Sequence, residues 1–107
     1  MSRYVRVSSL AELGDGEMIV VGAGRDDVCL ARIGDEIYAV ANLCTHALAW
    51  LDSGELLPDS REIECPLHGG RFDLRTGEPT SLPCEEAVKS YRVRVEGGDI
   101  HVLIEEG

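Results

Sequence analysis

Hydrophobic and polar residues alternate with period two over much of this chain, as they do in strands that bury one face. Tyr4-Val5-Arg6-Val7 alternates in this way and predicts a short strand. Ser9 and Glu12 have the spacing of a capping box over one helical turn, which Gly14 and Gly16 then stop. Met18–Val21 is a continuous apolar run of strand length and predicts a buried strand. Gly22-Ala23-Gly24 lacks the third glycine and following helix of a dinucleotide loop, so it reads as a turn. Val28–Ile33 and Ile37–Val40 flank the turn dipeptide Gly34-Asp35 and predict a hairpin whose register the pattern leaves open. With Gly97-Gly98 as a two-residue turn, Val95 faces Ile100, Val93 faces Val102 and Tyr91 faces Ile104. All six then share one face, while Arg92, Arg94, His101 and Leu103 take the other. About seven to nine short strands and no long helix follow, which predicts an all-β fold, an antiparallel sandwich or barrel.

One stretch breaks the rhythm. From Leu43 to Arg75 the alternation mostly lapses, and Cys, His, Gly and Pro concentrate. A loop-rich insertion held by a rigid sheet is where function usually sits. The expected organisation is a single domain over residues 1–107, with base sheets at about 1–42 and 76–107 and the insertion at about 43–75.

A chain of 107 residues has room for one modest core. Its 20 Asp and Glu against 10 Lys and Arg give a net charge of −10. That balance excludes a nucleic-acid binder, which needs a basic face, and an anionic membrane surface would repel it. Arg3, Arg6, Glu12 and Asp15 interrupt the N-terminal stretch, so no export signal is read there. No apolar run reaches the roughly 18 residues of a membrane-spanning helix. The expectation is a soluble cytoplasmic protein, in which cysteines serve as metal ligands, catalytic thiols or core residues before disulfides. Within the insertion, Asp52, Glu55, Asp59, Glu62 and Glu64 stand against Arg61.

Two short motifs lie in that acidic insertion: Cys44-Thr45-His46 and Cys65-Pro66-Leu67-His68. Two thiolates and two imidazoles so placed make a metal-binding set. Tetrahedral zinc accepts Cys₂His₂, so a structural zinc module is one reading. Zinc modules, however, usually pair cysteine with cysteine and histidine with histidine, whereas each motif here supplies one sulfur and one nitrogen. A binuclear site explains that division: if two loops face each other, the cysteines grip one iron and the histidines the other, with sulfides bridging.

Cys-x-His followed by Cys-x-x-His in a small all-β chain resembles the Rieske iron–sulfur family. The tail His68-Gly69-Gly70-Arg71-Phe72-Asp73, then Thr76-Gly77 and Pro83-Cys84, is similar to that of the Rieske ferredoxins of bacterial aromatic-ring dioxygenase systems, of the biphenyl and carbazole kind. The resemblance implies one Rieske-type 2Fe-2S cluster, with Cys44 and Cys65 on the inner iron and His46 and His68 on the outer. It implies that Pro83 belongs to a loop covering the cluster, and that Gly69 and Gly70 let backbone N–H groups approach the sulfides. It also implies a monomeric one-electron carrier, not an enzyme, between a flavin-containing NADH-dependent ferredoxin reductase and a terminal ring-hydroxylating oxygenase. The small subunit of a nitrite-reductase-type assembly shares the fold and is the alternative within it. An oxygenase needs a further 2-His-1-carboxylate iron, for which only His101 is left over.

High-potential Rieske proteins carry two extra cysteines, and a serine and a tyrosine two and four positions after the second histidine. Leu67 takes one of those cysteine positions, and Gly70 and Phe72 stand at the serine and tyrosine places. Neither Gly70 nor Phe72 can donate an O–H to a sulfur, which predicts a potential near the low end of the roughly −150 to +300 mV Rieske range. Ala47 follows the first histidine, where glycine is common, and the gap between motifs is about two residues long for the family. Of the other candidates, Cys29 reads as a small buried hydrophobe and Cys84 as a packing residue, with a Cys29–Cys84 disulfide disfavoured by compartment. His101 reads as solvated, and Trp50 as packing beside the first cluster loop.

Overall fold

The computed structural model describes residues 1–44, 49–67, 69–82 and 84–105. Strands β1 (Ser2–Ser9), β2 (Met18–Ala23), β3 (Asp26–Ile33) and β4 (Glu36–Ala41) come first. Short strands β5 (Glu55–Leu57), β6 (Glu62–Glu64), β7 (Arg71–Asp73) and β8 (Pro79–Ser81) follow, then β9 (Ser90–Tyr91), β10 (Val93–Glu96) and β11 (Asp99–Glu105). They form three antiparallel sheets, ordered β1-β11-β10, β2-β3-β4-β9 and β5-β6-β7-β8, none of them closed into a barrel.

The apolar stretch Val28-Cys29-Leu30-Ala31 of β3 is buried throughout because the middle sheet has a core on each face. Val28 and Leu30 join Ile100, Val102 and Ile104 of β11 in the base core. Cys29 and Ala31 point the other way, into a second core with Cys44, Cys65, Phe72 and Cys84. Strand periodicity thus assigns alternate residues of one strand to the base and to the metal-motif region.

The two expected hairpins form. The β3–β4 turn sets Ile33 against Glu36 and Arg32 against Ile37, and β10–β11 sets Val93 against Val102 and Val95 against Ile100. Tyr91 does not continue that ladder. It crosses to the middle sheet opposite Ala39, and its hydroxyl donates to Asp26 at 2.9 Å. Met18–Val21 is not buried as expected, since β2 is an edge strand with Val20 exposed. Gly24-Arg25 makes the β2–β3 turn, while Gly22 and Ala23 belong to β2. Ser9 precedes a single 3-10 turn, Leu10–Glu12, and its hydroxyl meets the Glu12 carboxylate, not a backbone N–H, so no capping box forms. His101 is half-buried between the cross-strand arginines Arg6 and Arg94, with Nδ1 buried and unbonded, where a solvated side chain was expected.

The insertion is more ordered than its composition predicts. Three-residue strands are too short to display alternation, yet β5–β8 make a sheet of their own. Arg61 fastens it to the β3–β4 hairpin, pairing with Glu36 at 2.7 Å and reaching the Tyr38 hydroxyl at 3.2 Å. The Arg61 guanidinium, then the Tyr38 hydroxyl, hold the Glu36 carboxyl below its usual range. Asp73, pinned by Arg75, and Glu62, bonded by Ser60 and Thr80, are lowered as well. Carboxyls depressed in the folded state contribute stability that is present above the unfolded value of about 4 and lost as pH falls through the folded one. Urea unfolding at pH 7 and pH 3 is therefore expected to show a smaller acid loss for Glu36→Gln than for the wild type. An equal loss in both would remove Glu36 from the account.

Candidate metal centre

Cys44 and Cys65 head two loops that close in the same way. The Cys44 N–H donates to the Ala49 carbonyl at 2.9 Å and the Cys65 N–H to the Gly70 carbonyl at 2.7 Å, each acceptor five residues on. A bridge between Leu43 and Trp50 extends the first closure, and the Glu64–Arg71 pair of β6 and β7 extends the second. Each cysteine is thus anchored by its backbone where a rigid ladder opens into a loop.

The thiols are buried and adjacent. Cys65 hydrogen-bonds Cys44 and is met by the Leu67 N–H, and Cys84, between β8 and β9, also reaches Cys44. Burial, then the neighbouring Cys44, pushes the Cys65 thiol up. Burial and then Cys44 push Cys84 up to about 12. Cys29 lies apart in the middle sheet, and burial followed by the Asp52 charge takes it to about 12 as well. All four cysteines are free thiols.

Two facing sulfurs held by like loops, one of them under a backbone N–H, fit an iron–sulfur cluster, whose inner iron takes thiolates and whose sulfurs accept N–H bonds. Among the described residues no three His, Cys, Asp or Glu side chains are arranged around one metal ion, so Cys84 makes no mononuclear site with the other two. His46, His68 and Pro83 lie outside the described residues.

Several supports went unread in the sequence. Asn42, buried two residues before Cys44, donates to Asp52 at 2.9 Å and accepts the Asp52 N–H at 2.9 Å, while its carbonyl takes the Leu51 N–H at 2.7 Å. A polar residue ending the apolar run of β4 was the available signal. Gly54 allows the loop after Trp50 to press on β6: a Cβ there would fall 1.8 Å from the Glu64 carbonyl oxygen, one residue before Cys65.

The rim of the two loops is apolar. Leu43, Trp50, Leu67 and Leu82 are exposed by 43, 55, 45 and 75%. Trp50 is therefore surface, against the expectation that it packs. The acidic residues of the insertion are partly engaged: Glu64 with Arg71 at 3.0 Å, Asp52 with Asn42, and Glu62 with Thr80.

The family model described as the Rieske [2Fe-2S] domain matches residues 3–92. The ferredoxin component of a naphthalene 1,2-dioxygenase system from Pseudomonas putida is 36% identical over 103 residues, which is 96% of this chain and 95% of that one. The ferredoxin of carbazole 1,9a-dioxygenase from Nocardioides aromaticivorans IC177 superposes with a TM-score of 0.90 at 49% identity, covering 92% of this chain and 95% of that one. A ferredoxin solved in complex with the oxygenase of a carbazole 1,9a-dioxygenase matches with a TM-score of 0.84 at 35% identity, over 92% of this chain and 91% of that one.

Proposed function

The chain belongs to the family of Rieske [2Fe-2S] domains, and on that premise we propose that it is the ferredoxin component of an aromatic-ring-hydroxylating dioxygenase system. The observation that carries this reading is the pair of like-closed loops holding Cys44 and Cys65 as adjacent buried thiols beneath an exposed apolar rim. Bound there, a 2Fe-2S cluster supplies one reversibly exchanged electron. Cys44 and Cys65 would hold it through their thiolates, and His46 and His68 through their imidazoles. The Leu67 N–H steadies the Cys65 sulfur. Pro83 belongs to the covering loop.

The rim gives the carrier its contact. Leu43, Trp50, Leu67 and Leu82 exclude water when a partner docks, while the acidic residues of the insertion steer a basic partner surface from a distance. The partners are a flavin-containing NADH-dependent ferredoxin reductase and a terminal oxygenase, and the carrier is monomeric and cytoplasmic. Among the described residues no helix is long and apolar enough to cross a membrane.

The test is reconstitution. Protein purified without added metal should be coloured, contain iron and acid-labile sulfide, and pass electrons from NADH through a ferredoxin reductase to a carbazole or naphthalene dioxygenase. The rate should fall as ionic strength rises from about 0.01 to 1 M, where the screening length shrinks from about 30 to 3 Å. With Gly70 and Phe72 in place, the midpoint should lie in the lower part of the Rieske range. A colourless zinc-loaded protein would end the electron-carrier reading, a salt-independent rate the steering, and a midpoint above about +100 mV the account of Gly70 and Phe72.

A further inference from the structure

Gly69 and Gly70 stand side by side but are glycines for different reasons. Gly69 has φ +71° with open space around its Cα, so its backbone conformation accounts for it. Gly70 has no such φ; instead, a Cβ built there would fall 2.2 Å from the Cys84 Sγ and 3.3 Å from its Cβ. The space a side chain at position 70 would occupy is filled by the Cys84 thiol. That sulfur arrives from the covering loop, is 4% exposed, and reaches the Cys44 sulfur.

We propose that Cys84 is a positioning residue for the redox centre, donating its S–H to the Cys44 sulfur and raising the reduction potential. The inference rests on the cluster reading above and adds to it a residue that binds no iron. Cys84 and the two ligand cysteines do not surround a common metal position, so the third thiol is left to act as a donor. Hydrogen bonds to cluster sulfurs favour the reduced form, which carries more negative charge. Gly70, which has no side-chain donor, thereby makes room for one from another loop. Because a thiol is a weak donor, the contribution is smaller than a hydroxyl would make.

The experiment is the midpoint potential and electron paramagnetic resonance spectrum of cluster-loaded wild type, Cys84→Ala, Cys84→Val and Cys84→Ser. Both Ala, which leaves space, and Val, which fills it, should lower the midpoint. The expected change is about three- to tenfold in the reduction equilibrium, or roughly 30–60 mV for one electron. Ser restores a donor and should return the midpoint to the wild-type value or above, with iron and sulfide content unchanged in all four. Equal midpoints in wild type, Ala and Val, or higher midpoints in both, would overturn the role. Iron loss in Cys84→Val and Cys84→Ser would overturn it too, by making Cys84 a ligand. A wild type lacking iron and sulfide would instead refute the cluster reading itself.

Discussion

Cys65→Ala should abolish the iron–sulfur centre: the purified variant is expected to be colourless, with iron and labile sulfide reduced to background. The Cys65 backbone is fixed by its bond to the Gly70 carbonyl and its sulfur by the Leu67 N–H. No other described sulfur stands at the head of that loop. If Cys44 and Cys65 hold one iron as proposed, removing one of the two thiolates leaves that iron without its charge-neutralising pair. Cys44→Ala, His46→Ala and His68→Ala should lose the centre in the same way. Because ligand binding contributes directly to folding free energy, the thermal midpoint of each should fall along with the metal. Cys29→Ala is the contrasting variant. Its thiol is in the middle sheet and should leave iron and sulfide at wild-type levels. A Cys65→Ala protein that keeps full iron and sulfide would overturn the assignment of Cys65.

The second large effect is expected at Phe72, the largest fully buried side chain, in the inner strand β7 opposite Ile63. Its ring lies in the same core as Cys44, Cys65 and Cys84. Truncating a buried Phe to Ala typically costs about 3–5 kcal/mol, from lost transfer energy and the cavity left behind. That is a large share of the roughly 5–15 kcal/mol available to a small domain. Phe72→Ala should lower the urea midpoint by a corresponding amount and shed its iron faster on dilution into a chelator. Val95→Ala, at the exposed edge of the base sheet, should shift stability by less than about 0.5 kcal/mol. Comparable losses in the two variants would mean that the core around Phe72 does not support the centre.

These two predictions draw on information of different reach. The candidate motifs stand out in the sequence because the members of each pair are only two or three positions apart, Cys44 with His46 and Cys65 with His68. The last hairpin was legible in register because a two-residue turn and alternating aliphatics favour one pairing, as Val93 against Val102 shows, whereas the β3–β4 hairpin was legible only as a hairpin. The insertion's sheet was not. Its strands are three residues long, less than two periods of alternation, and are held by partners rather than by their own pattern. Met18–Val21 misled because an apolar run carries no information about whether its strand is central or at an edge. Tyr91 misled for a similar reason, since its pairing with Ala39 answers to Asp26, 65 positions away along the chain.

By itself, then, the sequence determined the fold class, the register of the β10–β11 hairpin, the four candidate ligands and a net charge of −10. All of these follow from residue type and spacing within a few positions. Only the tertiary structure decided that two like-closed loops bring Cys44 and Cys65 together, that Cys84 fills the space beside Gly70, and that Leu43, Trp50, Leu67 and Leu82 are exposed. The physical reason is that local periodicity specifies which face a side chain takes on its own element. Which distant surface meets that face depends on the packing of whole sheets, where one atom's radius separates a glycine that is needed from one that is not.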